Sequence, residues 1–372
     1  MLTSPLALIA EITHRCPLHC VYCSNPLQLA EPEAELTTDD WARVFSEASR
    51  MGVLHLHLTG GEPLARTDLE QLITAGHEVR LYTNLITSGI GLSRDGLARL
   101  VHAGLDHIQL SFQDSTAESA DWIAGTRSHA HKMELAGWIR EHRMAFTANL
   151  VVHRQNLDHL EAMIRFLQGL RPNRIEIAHV QYYGWALQNR ASLMPTARQL
   201  QNSLRTIGSS ETDLKGQIRI DSVVPDYHAQ FPKACMGGWG RRLMVINPKG
   251  DALPCHAAGV IPGLAFDNVR ERSLASIWNE SAAFQKFRGE SWMQEPCRSC
   301  ERRTEDYGGC RCQAFLLTGD AAATDPVCSL ATRHDVVADA VRNAPSNLIS
   351  LSNSGEQWTY RSNRGRRSIP HR

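Results

Sequence analysis

Six short apolar runs, each followed by an amphipathic stretch, constrain the first part of this 372-residue chain more tightly than any other feature. The runs lie at 6–13, 53–59, 80–87, 107–113, 146–153 and 174–180, and each has the length and content of a β-strand. Strands that alternate with helical stretches describe βα units around a parallel sheet. One helix is expected from about Thr38 to Met51 with Gly52 as its stop, and another after residues 61–63, opened by a capping box of Thr67 and Glu70. Six units are too few for a closed eight-unit barrel, so an open partial barrel and a doubly wound sheet both fit. Either way the site belongs at the C-terminal ends of the strands.

The chemically distinctive residues fall at those ends. Cys16, Cys20 and Cys23 follow the first run, Gly60, Gly61, Glu62 and Pro63 follow the second, and Asn84 is read as the end of the third. Ser111, Gln113 and Asn149 are further polar residues near strand ends. Three thiolates at C-x3-C-x2-C spacing can ligate three irons of a cubane and leave the fourth open to a ligand. The same cysteines could instead form a zinc site with His19 as fourth ligand, or be buried free thiols. Paired glycines let the backbone approach a ligand and Glu62 adds a carboxylate, although a plain strand-ending turn has the same composition.

Lys+Arg and Asp+Glu balance at 39 each, which argues against a nucleic-acid groove, because neutralising phosphates needs a basic excess. Residues 1–13 are apolar but interrupted by Glu11 and lack a charged lead, so they are expected to be a buried strand rather than an export signal. No stretch approaches the roughly 18 apolar residues of a membrane span. A soluble, cytoplasmic protein is therefore expected, with its ten cysteines reduced and available for metal. Seven of the ten lie between Cys235 and Cys328. The expected division is a strand-rich unit over 1–220, a metal-organised unit over 221–340, and a Ser-, Asn- and Arg-rich disordered tail over 341–372.

The triplet Cys16-Pro17-Leu18-His19-Cys20-Val21-Tyr22-Cys23 directly after a first strand resembles the signature of the radical S-adenosylmethionine (SAM) superfamily. That resemblance implies a partial (β/α)6 TIM-like barrel and a [4Fe-4S] cluster on the three cysteines. The open iron of such a cluster takes the amino and carboxylate groups of SAM, and reduction splits SAM into methionine and a 5′-deoxyadenosyl radical. Gly60-Gly61-Glu62-Pro63 then resembles the motif that binds the SAM ammonium group, and Tyr22 would pack near the adenine. Asn84, Ser111, Gln113 and Asn149 match positions that contact the SAM carboxylate and ribose.

The second field runs Cys235, Cys255, Cys297-x2-Cys300, Asp306, Cys310-Arg311-Cys312 and Cys328. Structural zinc in a small ribbon-like domain is one reading. The field is also similar to the SPASM extension of peptide-modifying radical SAM enzymes, which carries two auxiliary Fe-S clusters, [2Fe-2S] or [4Fe-4S]. The resemblance implies Cys235, Cys255 and Cys310 for the first auxiliary cluster, and Cys297, Cys300 and Cys328 for the second. Two departures leave Cys312 to complete the first and put Asp306 where the second has a cysteine. Both are the habit of the PqqA peptide cyclases. Cys235-Met236-Gly237-Gly238-Trp239-Gly240 and Glu295-Pro296-Cys297-Arg298-Ser299-Cys300 match that family too, and the likeness covers about residues 5–335.

Membership of that family implies formation of a carbon-carbon bond between a glutamate γ-carbon and a tyrosine ring of the peptide PqqA, an early step of pyrroloquinoline quinone biosynthesis. It also implies a separate peptide carrier, PqqD, and an electron donor such as flavodoxin, with no nucleic acid or membrane partner. Tyr182, Tyr183 and Trp185 after the sixth run are candidates to line a peptide channel. The alternatives are another SPASM enzyme, such as a sulfatase maturase or thioether-forming maturase, and a non-catalytic zinc protein that holds a partner.

Overall fold

The computed structural model describes residues 4–223, 226–344 and 358–363. Its six predicted strands are β1 (Ala7–Thr13), β2 (His55–Gly60), β3 (Tyr82–Thr87), β4 (His107–Phe112), β5 (Ala145–Val152) and β6 (Arg174–His179). Three more follow: β7 (Arg219–Val223), β8 (Leu243–Ile246) and β9 (Ala252–Leu253). They form one sheet in the order β7-β6-β5-β4-β3-β2-β1-β8-β9, parallel throughout except for the last pair.

The strands from β1 to β7 proceed in sequence order without the reversal that a doubly wound sheet requires. The fold is thus the open, partial barrel of the radical SAM type. Six units understate the sheet. The β7 strand is short and polar at the sheet's edge, while β8 is a four-residue buried run inside the cysteine-rich segment. Neither carries a βα pattern of its own. By pairing with β1, β8 ties the second cysteine field to the first strand of the barrel.

Helices α1 (Thr38–Arg50), α2 (Leu69–Glu78), α3 (Arg94–His102), α4 (Ala117–Ala124), α5 (His129–Glu141) and α6 (Leu160–Gly169) follow the strands. Helix α1 buries Trp41, Val44, Phe45 and Ala48, a single face at i, i+3, i+4 and i+7, and opens on a capping box of Thr37 and Asp40. The box expected from Thr67 and Glu70 does not form. Helix α2 starts at Leu69 behind Asp68, whose carboxylate accepts from Arg66 and Thr38, and Glu70 turns instead to Arg99.

Each strand sends alternate residues to opposite faces. Leu8, Ala10, Ile12, Leu56, Leu58, Ile108, Leu110, Phe146, Ala148, Ile175 and Ile177 form the core with the helices. The other set includes Glu11, His57, Asn84, His107, Gln109, Ser111, Asn149 and Glu176, so the barrel's inner face is polar. Truncating a core side chain such as Phe146 to Ala should cost about 3–5 kcal/mol.

The tail departs from its expected disorder at residues 358–363. Trp358, Tyr360, Arg361 and Ser362 are buried, because the chain returns there to pack on α4 and the cysteine loop. Residues 345–357 and 364–372, covered by the same expectation, lie outside the described residues.

Candidate active site at the rim of the barrel

The loop after β1 carries Cys16, Cys20 and Cys23 to a cavity of about 340 Å³ at the C-terminal ends of the strands. Tyr22, Gly60, Gly61, Glu62, Thr87, Ser88, Ser111, Gln113, His179 and Arg361 also line it. Burial pushes the Cys16 thiol up to about 12 and Cys20 up to about 11, and raises Cys23 as well. Sulfurs so disfavoured as free thiolates suit a site where metal cations take up their charge.

The glycine pair has a steric reason. A Cβ on Gly60, whose φ is +132°, would stand 2.2 Å from the Thr13 carbonyl oxygen, and one on Gly61 would stand 2.3 Å from that of Arg15. With hydrogen alone at both positions, Gly61 N–H donates to Thr13 and Glu62 N–H donates to Arg15, which pins the end of β2 beneath the cysteine loop. Glu62 is buried and its carboxyl is raised by that burial. It accepts from the Thr87 hydroxyl at 2.5 Å, and from the backbone N–H and hydroxyl of Ser88 at 2.8 and 2.5 Å. Pro63 is buried at the start of the following turn and is absent from the cavity wall.

Gln113 is held from both sides. Its amide donates to the Tyr22 hydroxyl at 2.9 Å, and its carbonyl accepts from the Lys132 ammonium of α5 at 2.6 Å. Burial pulls that ammonium down to about 8.

Two predicted residues sit lower in the barrel. Asn84 is not the end of β3, which runs on through Thr87; it bonds His57 Nδ1 at 3.0 Å. Asn149 hydrogen-bonds Glu176. Neither lines the cavity. The polar groups at the true end of β3 are Thr87 and Ser88. These two, Lys132, His179 and Arg361 carried no spacing signal in the sequence.

A second cavity of about 530 Å³ adjoins the first and shares Ser24, Asn25, Thr59, Gly60, His179 and Gln181 with it. Its far wall holds Cys235, Cys255 and Cys310. There the four sulfurs of Cys235, Cys255, Cys310 and Cys312 gather, with Cys255 and Cys312 3.9 Å apart. Hydrogen bonds from Cys235 and Cys312 hold Cys255 and Cys310 well below the usual thiol range. Of the aromatic trio, Tyr183 faces this cavity, whereas Tyr182 packs on Tyr227 and Trp185 lies buried under Arg361.

Cys297, Cys300, Asp306 and Cys328 line one small recess with Pro232, Pro296 and Thr324. Asp306 is 7% exposed, so it is not a solvated member of a charged run. One of its oxygens accepts from Gly308 N–H at 2.9 Å, and burial raises its carboxyl.

Comparison with known proteins places this arrangement. Residues 10–167 match the radical SAM superfamily, and residues 235–301 match SPASM, an iron-sulfur cluster-binding domain. A PqqA peptide cyclase of Methylocella silvestris is 53% identical over 92% of both chains, and one of Rhodopseudomonas palustris is 54% identical over 89% of this chain and 88% of its own. The chain belongs to the PqqA peptide cyclase family. It is a radical SAM enzyme whose cofactors are SAM and iron-sulfur clusters. Among solved structures, Streptococcus suis SuiB bound to S-adenosylmethionine shares the fold with a TM-score of 0.74 and 20% identity, over 89% of this chain and 78% of that one. The anSMEcpe structure with bound AdoMet has a TM-score of 0.59 at 15% identity, over 91% and 97%.

Proposed function

We propose that this chain joins a glutamate γ-carbon to a tyrosine ring carbon within a PqqA peptide, an early step of pyrroloquinoline quinone biosynthesis. The observation that carries the reading is the pair of adjoining cavities. The Cys16–Cys20–Cys23 rim lines a cavity of about 340 Å³ and the Cys235–Cys255–Cys310 wall one of about 530 Å³, and the two share lining residues.

In this reading Cys16, Cys20 and Cys23 hold the SAM-binding [4Fe-4S] cluster, and Gly60, Gly61, Glu62, Tyr22, Ser111 and Gln113 form the seat for SAM. Reduced at its cluster, SAM supplies the hydrogen-abstracting radical. Cys235, Cys255, Cys310 and Cys312 hold the first auxiliary cluster; Cys297, Cys300, Asp306 and Cys328 hold the second. The chain's own residues orient and exclude water. Thr87 and Ser88 fix the Glu62 carboxylate, while Lys132 and Tyr22 fix the Gln113 amide. Ring closure removes two hydrogens, as one hydrogen atom from the glutamate and one proton plus one electron from the ring adduct. Cys235, Cys255 and Cys310, at the wall of the larger cavity, would with Cys312 hold the cluster that could take up that electron.

A peptide carrier of the PqqD type and a flavodoxin-like donor complete the reaction, and the cytoplasm is the proposed location. All ten cysteines are free, as a reducing compartment requires. No helix among the described residues is long and apolar enough to cross a membrane. The reading is tested by anaerobic incubation with SAM, a reductant, PqqA and PqqD. A peptide lighter by two hydrogens supports it. Deoxyadenosine without peptide change points to another SPASM substrate, and zinc in place of iron and sulfide points to a non-catalytic role.

A further inference from the structure

Residues 358–363 pack against the cysteine loop and α4. The Trp358 ring stacks on Trp122 of α4 with centroids 4.3 Å apart. Asn189 grips the next residue, accepting from Thr359 N–H at 2.9 Å and donating to the carbonyls of Thr359 and Val21. Past that anchor, the Arg361 guanidinium donates to the carbonyl of His14 at 2.5 Å and to that of Cys16 at 3.4 Å. Asn363 donates to the same Cys16 carbonyl at 2.8 Å, and the His19 ring meets the Arg361 carbonyl at 2.7 Å. Four residues of the loop, His14, Cys16, His19 and Val21, are thus tied to one short stretch of tail or to its anchor.

Arg361 is also a charge without a carboxylate. It is 1% exposed and lines the cavity of the cysteine triplet, and among the described residues no Asp or Glu pairs with it. Its Nε has no hydrogen-bond partner among them. Burying a guanidinium without a counter-charge is costly. Glu62 and the three cysteine sulfurs line that same cavity, and the Arg361 charge acts on Cys16, Cys20 and Cys23. Three thiolates around an iron-sulfur cubane leave the assembly net negative, which supplies the missing counter-charge.

We infer that residues 358–363 are a strap that holds the cysteine loop, and that Arg361 is a positioning residue whose buried cation raises the reduction potential of the SAM-site cluster. A positive charge beside the cluster favours the added electron. The inference rests on the assignment of Cys16, Cys20 and Cys23 to that cluster.

The test compares full-length parent, Arg361→Gln and Arg361→Lys after anaerobic reconstitution, by iron content, SAM affinity and a redox titration of the cluster whose spectrum responds to SAM. In Arg361→Gln the ratio of reduced to oxidised SAM-site cluster at a fixed potential should fall about tenfold, equivalent to about 59 mV for one electron. Arg361→Lys should recover most of that loss, because it restores the charge but not the planar fork. If Arg361→Gln loses only the SAM-site iron, recovery of iron and potential in Arg361→Lys supports the role. Failure of the lysine to recover them makes Arg361 a brace alone and overturns it. A parental potential in Arg361→Gln, with or without weaker SAM binding, also overturns it. Joint replacement of Cys16, Cys20 and Cys23 by Ala tests the underlying assignment separately: iron that does not fall in that variant sinks the assignment.

Discussion

The phenol oxygen of Tyr183 lies 3.0 Å from the Sγ of Cys310, at the wall shared by the larger cavity and the four-sulfur group. Burial pushes that phenol well above its ordinary range, so it stays protonated and able to donate. Hydrogen bonds to cluster sulfurs raise the potential. Tyr183→Phe should therefore keep its iron while the first auxiliary cluster becomes harder to reduce. An unchanged potential in a redox titration would show that the contact does not tune the cluster.

Glu62→Ala removes the carboxylate that Thr87 and Ser88 hold. Loss of one buried, charge-assisted contact costs about 1.5–3 kcal/mol, so SAM affinity should fall roughly 10- to 100-fold with the SAM-site iron retained. Anaerobic equilibrium binding measures it. Parental affinity would count against a direct contact, and loss of cluster iron would mark Glu62 as a structural tie between β2 and β3.

The motifs legible in the sequence were those whose chemistry imposes spacing. The cysteines, the glycine pair and Asp306 each stand at a fixed interval from a neighbour of known type, and the structure gathers them as two sulfur groups, a mixed recess and a rim. The strands were legible because apolar alternation survives without tertiary context. Asn84 was misplaced because a strand's end depends on how far its neighbours pair, and β3 pairs with β4 through Thr87. Lys132 is one cation on an otherwise ordinary helix, and nothing in its sequence neighbourhood says that it reaches Gln113. Arg361 is hidden in a stretch whose composition reads as disorder; only the return of the chain to Trp122 and the cysteine loop makes it part of the site.

Asp306 stands with Cys297, Cys300 and Cys328 around one recess, and a carboxylate is a harder donor than a thiolate. Asp306→Cys should retain a full second auxiliary cluster with a shifted potential. Asp306→Ala should bind the cluster poorly or open one iron to an external ligand. Iron content, spectrum and potential decide this, and an alanine variant identical to the parent in all three would leave Asp306 a buried charge without a metal.

Burial holds His57 and His107 down to about 4 and His153 to about 3, so the folded chain keeps these rings neutral. The unfolded chain binds protons on them below about pH 6.5 while the folded chain does not. Each ring therefore contributes a loss of stability as pH drops from about 6.5 towards 4, up to about 1.4 kcal/mol per pH unit, against the opposing contribution of Asp325, whose carboxyl burial raises to about 7. Denaturant midpoints at pH 7 and pH 5.5, compared between the parent and His153→Gln, isolate the contribution of one ring: the variant should lose less stability on acidification than the parent. An equal loss in both would show that the His153 ring charges in the fold.

The most direct measurement uses a PqqA peptide deuterated at the glutamate γ-carbon, incubated anaerobically with the enzyme, SAM, a reductant and PqqD. Deuterium is expected in the 5′-deoxyadenosine, and a peptide that has lost one deuterium and one hydrogen with a cross-link mapped by fragmentation to the glutamate and tyrosine. Unlabelled deoxyadenosine together with an intact peptide mass would rule out abstraction from the glutamate γ-carbon.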